Sequence, residues 1–136
     1  MEQKSLIAVY GTLKKGFENH FIIKNSEFLG SYVTKTRHVM LDLGVPHCSV
    51  RWDIGMQIKV ELYEVNEKTL ERLDALEGHP HNYYRDWVEL EGHESKKIQM
   101  YYSRVPERFS IEQLAEFDFI SDYGSDEKIQ PKLDWI

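Results

Sequence analysis

A second cysteine is missing from this chain: Cys48 stands alone among 136 residues. No internal disulfide and no cluster of thiolate metal ligands can therefore form. Basic excess is missing too, since 17 lysines and arginines against 23 aspartates and glutamates leave a formal net charge of −6. That sign argues against general nucleic-acid binding, which works through a basic face, and weighs lightly against an anionic membrane surface. No apolar run is long enough to span a bilayer, and Met1 to Ser5 opens without the apolar core of a secretory signal. Repeats, low-complexity tracts and Pro/Gly/Ser-rich linkers are absent as well. With 41% hydrophobic and 29% charged residues, the composition is that of an ordinary globular protein able to bury a core. The expectation is a cytoplasmic chain with a single domain over residues 1–136, of which 121–136 form a polar, acidic C-terminal tail.

Apolar patterning supplies the elements. Leu6 to Tyr10 reads as a buried strand that ends at Gly11, followed by a loop to Gly16. Asn19 to Lys24 predicts a short helix with Phe21 and Ile22 inward. Phe28 to Leu43 is rich in β-branched and aromatic residues and predicts one or two strands, and Cys48 to Trp52 another. Met56, Ile58, Val60 and Leu62 alternate with polar residues, which predicts a half-buried strand running to Val65. Tyr83 to Leu90 and Lys97 to Arg104 predict a hairpin pair across Gly92 to Ser95. Ile111 to Phe119 predicts a second helix, and Leu133 to Ile136 are expected to pack back on the body. Many strands and few helices, without βαβ alternation, place the fold in the α+β class.

One charge sits where an apolar residue belongs. Asn66 to Gly78 reads as an amphipathic helix, with Asn66 as N-cap, Glu67 in the first turn and Gly78 as terminator. Leu70, Leu73 and Leu76 form its apolar stripe. Glu77 falls about 20° from Leu70 on the helical wheel, inside that stripe. A carboxylate there faces the interior or a cleft, at the negative end of the helix dipole. Both circumstances push its pKa toward a value useful for proton transfer at neutral pH. A helix-terminal glutamate that reaches solvent past Gly78 is the plainer alternative.

Other constellations stand beside it. Tyr10-Gly11-Thr12-Leu13-Lys14-Lys15-Gly16 leaves a strand through a glycine, exposing backbone N–H groups that can form an anion-binding concavity; a plain turn is the alternative. The phosphate-loop pattern fails, because Phe17-Glu18 follows Gly16 where Lys and Ser or Thr are required. Tyr83 and Arg85 occupy alternate strand positions and share a face. His79 and His81, with Glu77, suggest a two-His-one-carboxylate metal site, but a proline-containing turn does not set two imidazoles on one face. No nucleophile is convincing: His47 and Cys48 are neighbours on a strand and point apart, and Ser103 has no assigned base. Tyr83, Tyr84, Trp87, Tyr101 and Tyr102 are expected in core and cleft walls.

Together, Val9-Tyr10-Gly11-Thr12-Leu13-Lys14-Lys15-Gly16, Leu73-Asp74-Ala75-Leu76-Glu77-Gly78 and Tyr83-Tyr84-Arg85 resemble the gamma-glutamylcyclotransferase superfamily, most closely its gamma-glutamylamine branch. Asn19-His20, Glu61-Leu62-Tyr63 and Tyr102-Ser103-Arg104 extend the resemblance over roughly residues 5 to 125. It implies a small mixed β-barrel with flanking helices and a cofactor-free, metal-free reaction that releases 5-oxoproline from a small-molecule gamma-glutamyl amide. By the same resemblance Glu77 is the catalytic glutamate, Tyr10, Gly11, Thr12 and Leu13 form the substrate-binding loop, and Tyr83 joins them. Thr12-Leu13 stands where relatives acting on gamma-glutamyl amino acids or glutathione carry Ser-Asn or Ser-Leu, which favours amine substrates. Val60 replaces a glycine before Glu61-Leu62-Tyr63, a change expected to narrow the cleft. No nucleophile is needed, because the substrate's own α-amino group attacks its γ-carbonyl. Two readings of other kinds remain beside it: a non-catalytic module that senses a gamma-glutamyl or carboxylate metabolite, and a metal-dependent hydrolase using His79 and His81.

Overall fold

The computed structural model describes residues 3–51, 53–125 and 129. Leu133 to Ile136, expected to pack back, lie outside the described residues. Strand β1 (Lys4–Val9) is followed by a single 3-10 turn at His20–Ile22, β2 (Glu27–Val33), β3 (His38–Asp42), β4 (Pro46–Val50) and β5 (Lys59–Asn66). Helix α1 (Glu67–Glu77), β6 (Tyr83–Val88), β7 (Ile98–Ser103), a second 3-10 turn at Pro106–Arg108 and the one-turn helix α2 (Ile111–Leu114) follow. Five strands form one sheet in the order β2-β5-β1-β7-β6, and β3 with β4 makes a separate hairpin. Within the sheet β1 runs antiparallel to β5 and parallel to β7.

Strand periodicity divides the core between the sheet's two faces. Ala8, Val60, Leu62, Met100 and Tyr102 point to one face, where Met40 and Cys48 of the hairpin cover them. Ile7, Val9, Tyr63, Val65 and Tyr101 point to the other, where Leu73 and Leu70 of α1 pack. The alternation is therefore buried twice in the central strands, once by a helix and once by a hairpin.

The class is α+β as expected, but the sheet does not close into a barrel. Its edges approach at one end only: Thr34 bridges Leu90, and the N–H groups of Lys35 and Glu91 donate to Glu89 and Val33 at 2.9 Å each. Beyond that bridge, among the described residues, β2 pairs with β5 alone and β6 with β7 alone.

The structure differs from the sequence expectation in four places. Ile23, not Phe21, is buried at the 3-10 turn, where Phe21 is 56% exposed. The long strand starts at Lys59 because Met56 is drawn aside to bridge His38 through two backbone hydrogen bonds. The second helix stops at Leu114; Ser110 and Gln113 cap its start reciprocally, and Phe119 is extended to pair with Ile129. Trp87, expected in the core or a cleft wall, is 60% exposed on β6. Among the described residues, no helix is long and apolar enough to cross a membrane.

Candidate active site

Helix α1 delivers Glu77. Asn66 Oδ1 accepts from the Thr69 N–H at 2.8 Å, and Gly78 ends the helix in the left-handed region at φ 67°. Leu73 presses the helix onto the sheet, and Glu77 is left half-buried at its end. Burial pushes its carboxyl up to about 7. Leu76, expected in the buried stripe, instead stands 42% exposed beside it.

Facing Glu77 is the turn that leaves β1. Asn19 grips Thr12 twice, side chain to Oγ1 at 2.8 Å and N–H to carbonyl at 3.0 Å. His20 Nδ1–H donates to the Leu13 carbonyl at 2.8 Å, and Glu61 accepts from the Lys15 N–H at 2.9 Å. The Lys14 ammonium donates to Asp122 and to the Tyr123 carbonyl, so that buried lysine anchors the loop and lies outside the pocket. No acceptor among the described residues meets the N–H groups of Gly11, Thr12 and Leu13. They remain available to an anion or a developing oxyanion.

Gly11 is required by close approach. A Cβ there would lie 2.6 Å from Pro46 Cγ. Pro46 in turn accepts the Tyr83 hydroxyl on its carbonyl at 2.8 Å. We expect Gly11→Ala to displace Pro46 and lower kcat/KM at least about tenfold, because a small misplacement at a reacting site costs rate steeply. A variant with unaltered kcat/KM would show that the contact yields without cost.

Two phenols complete the wall. Tyr10 is buried and raised well above its ordinary pKa, by burial first and then by Cys48, Tyr83 and Glu77. Tyr83 is pushed up to about 12 by burial and next by Glu77. Both stay neutral donors at physiological pH. His47 stacks on Tyr83 with centroids 5.7 Å apart, and its Nδ1 lies 2.7 Å from Ser103 Oγ. Cys48 turns the other way into the core, where burial pushes its thiol up, so the two neighbours form no dyad.

Tyr10, Gly11, Thr12, Leu13, Glu77 and Tyr83 thus line a single pocket of about 190 Å³. Arg85 does not join them. Its Nε and one terminal nitrogen donate to Asp74 at 2.7 and 3.0 Å, and the other reaches Gln99 at 2.8 Å. It therefore ties α1 to the sheet. Val60 is buried in the core on the hairpin side and does not border this pocket, so the expected narrowing does not arise from it. His79 Nδ1 accepts from the Arg85 N–H at 3.0 Å, and His81 is exposed. Among the described residues no three His, Cys, Asp or Glu side chains are placed to hold a metal ion.

Sequence reasoning missed Val45 and Pro46, which enter from the hairpin turn, and the specific place of Tyr101, whose hydroxyl donates to Asp74 at 2.6 Å. Asp74 carried a readable signal, one helical turn before Glu77 on the face toward the sheet. Pro46 carried none, because only tertiary structure brings the hairpin to Gly11.

Comparisons with known proteins identify the family and the fold. A Methanocaldococcus jannaschii protein with the provisional name gamma-glutamylcyclotransferase is 40% identical over 118 residues, covering 86% of this chain and 96% of that protein. A zebrafish (Danio rerio) protein named gamma-glutamylaminecyclotransferase C is 36% identical over 99 residues, covering 62% of this chain and 61% of its own length. The crystal structure of an AIG2-like protein from Mus musculus matches the fold with a TM-score of 0.71 at 24% identity, over 92% of this chain and 91% of that one. Residues 7–119 match the family model described as gamma-glutamyl cyclotransferase, AIG2-like, and the chain belongs to that family.

Proposed function

We propose that this chain cyclises gamma-glutamyl amines, releasing 5-oxoproline and a free amine, with Glu77 as the single general acid and base. The observation that carries the reading is the half-buried Glu77 carboxyl, raised to about 7, in one pocket with the free N–H groups of Gly11 to Leu13. A carboxyl poised there takes or gives a proton at neutral pH with little driving force lost. A module that only bound its ligand would gain nothing from such a group.

The reaction needs no nucleophile from the protein. Glu77 removes a proton from the substrate's α-ammonium, and the freed amine attacks the γ-carbonyl carbon, forming the ring C–N bond. The carbonyl oxygen takes the negative charge, and backbone N–H groups of the Gly11–Leu13 turn stabilise it. As the intermediate collapses, Glu77 gives that proton to the departing nitrogen, the bond to it breaks and the carbonyl re-forms. Glu77 then takes the second proton from the ring nitrogen, leaving the neutral lactam, and passes it to the freed amine, which departs as an ammonium. The neutral Tyr10 and the ring of Tyr83, whose hydroxyl is held by the Pro46 carbonyl, wall in the folded substrate, and the protein's main work is orientation.

Amines are favoured over amino acids as leaving groups by Thr12-Leu13 and by the zebrafish relative's name. Every residue given a role lies between Tyr10 and Tyr83, so one domain suffices, and the lone buried Cys48 suits the reducing cytoplasm. The test is direct: incubate the protein with Nε-(γ-glutamyl)lysine, γ-glutamyl dipeptides and glutathione, and assay 5-oxoproline. Release is expected, fastest from the lysine isopeptide. Silence with all of them overturns the proposal.

A further inference from the structure

Lys14 is the only buried lysine or arginine among the described residues, with 8% of its surface exposed. Its neighbour Lys15 leaves the same loop and stays exposed over the Phe28 ring, so water was within reach of a side chain of that length. Burying an ammonium is costly unless its donors are met. Here one short segment far along the chain meets them: Nζ donates to Asp122 Oδ1 at 2.8 Å and to the Tyr123 carbonyl at 2.9 Å.

That segment is fixed without any help from Lys14. The Ile120 N–H donates to the Met40 carbonyl on β3 at 3.0 Å, and the Ser121 carbonyl accepts from the Lys59 N–H at the start of β5 at 2.7 Å. Residues Ile120 to Tyr123 are thus attached to the hairpin and to the sheet. The Tyr123 ring packs on Phe17, with centroids 5.1 Å apart. Lys14 connects this anchorage to the Gly11–Leu13 turn. Its N–H closes the turn on the Gly11 carbonyl at 3.0 Å, while its side chain reaches the segment. The bonds from Asn19 and His20 come from the loop's own continuation and travel with it, whereas Glu61 supplies a second tie to the sheet through the Lys15 N–H.

We propose that Ile120–Tyr123 is a strap that sets the Gly11–Leu13 turn against Glu77, with Lys14 and Asp122 as positioning residues. Neither lines the pocket, so both act through the backbone of the turn. The catalytic consequence rests on the cyclotransferase reading above; the rigidity of the turn is a property of the fold. Turn N–H groups meet charge that develops in the transition state, so a loosened turn lowers kcat more than it raises KM.

Lys14→Met tests this. It keeps the apolar stem, removes the buried charge and leaves Asp122, 32% exposed, to water, so the variant folds. With Nε-(γ-glutamyl)lysine its kcat is expected about 10- to 100-fold below wild type, with KM within about threefold. Asp122→Asn keeps an acceptor in place without the charge and should fall between the two. The acid limb of kcat/KM in Lys14→Met should stay near about 7, because Glu77 remains buried. A midpoint that drifts toward 4.5 would mean that the pocket itself has opened, which overturns a positioning role. Backbone NMR relaxation reads the turn without substrate: amide order parameters of Gly11, Thr12 and Leu13 are expected at about 0.85 in wild type and below about 0.6 in Lys14→Met. Unchanged order, or unchanged kcat in the folded variant, overturns the strap while the cyclotransferase reading stands. A wild type that releases no 5-oxoproline overturns that reading instead, and the order parameters then decide the strap alone.

Discussion

Glu77→Gln is expected to slow 5-oxoproline release by about 10²- to 10⁴-fold and, at the same time, to make the protein more stable above pH 7. Glutamine matches the protonated carboxyl in shape, so the substrate still binds while the proton carrier is lost. In the wild type, kcat/KM should rise with pH through about 7, where Glu77 ionises. The stability effect follows from the same raised pKa. The unfolded chain releases this proton near 4.5, whereas the folded protein holds it to about 7. Between those values the native state binds more protons, so stability falls as pH rises. Below pH 4.5 the variant and the wild type should match; above 7 the variant should lead by about 1–3 kcal/mol, or several degrees in Tm. Unfolding curves of both proteins at pH 4 and pH 8 measure this. Unchanged turnover would remove Glu77 from the chemistry, and a stability gap independent of pH would show that its carboxyl is not shielded.

Asp74→Ala should cost about 2–4 kcal/mol of stability, the largest loss expected from a single polar residue near the site. Asp74 accepts from two Arg85 nitrogens and from Tyr101, and the Arg85 and Asp74 side chains are only 18% and 26% exposed. Without it, the guanidinium keeps Gln99 alone and the Tyr101 hydroxyl loses its acceptor. The cost falls short of a fully buried pair because water reaches both partners. Burial alone would raise the Asp74 carboxyl, yet the hydrogen bonds from Arg85 and Tyr101 outweigh it and hold the group below its ordinary value. Its contribution is thus present above the unfolded pKa and fades as acid protonates it, opposite in sign to Glu77 one helical turn away. Urea unfolding of Asp74→Ala, Arg85→Ala and the double variant checks this. Single losses that simply add would show that no pair is present.

The central strands and α1 were legible because their signals are local: apolar runs, an N-cap at Asn66, a terminating glycine at Gly78. So was the anomaly of Glu77, since a charge on an apolar stripe shows on a helical wheel. Arg85 was misplaced for an equally physical reason. Sharing a strand face with Tyr83 says which way a side chain leaves the backbone, but only the register with α1 decides that Asp74 meets it first. The barrel expectation failed on the same kind of quantity, because closure depends on how far β2 and β6 splay beyond the Thr34–Leu90 bridge. Pro46 and Val45 needed the hairpin's placement across the sheet, which no spacing within either segment encodes.

The strand order has a consequence for how the protein is made. β1 lies at the middle of the sheet, between β5 and β7. Emerging from the ribosome before the other strands of the sheet, it waits through the synthesis of β2, β5 and β6 for its parallel neighbour, Ile98–Ser103. Until that strand arrives, one side of β1 offers unpaired backbone groups, an open template for the wrong chain. The turn that leaves β1 and faces Glu77 is therefore among the last parts to become rigid, and a nascent chain stalled before Ile98 has the residues of the pocket without the strand that braces it.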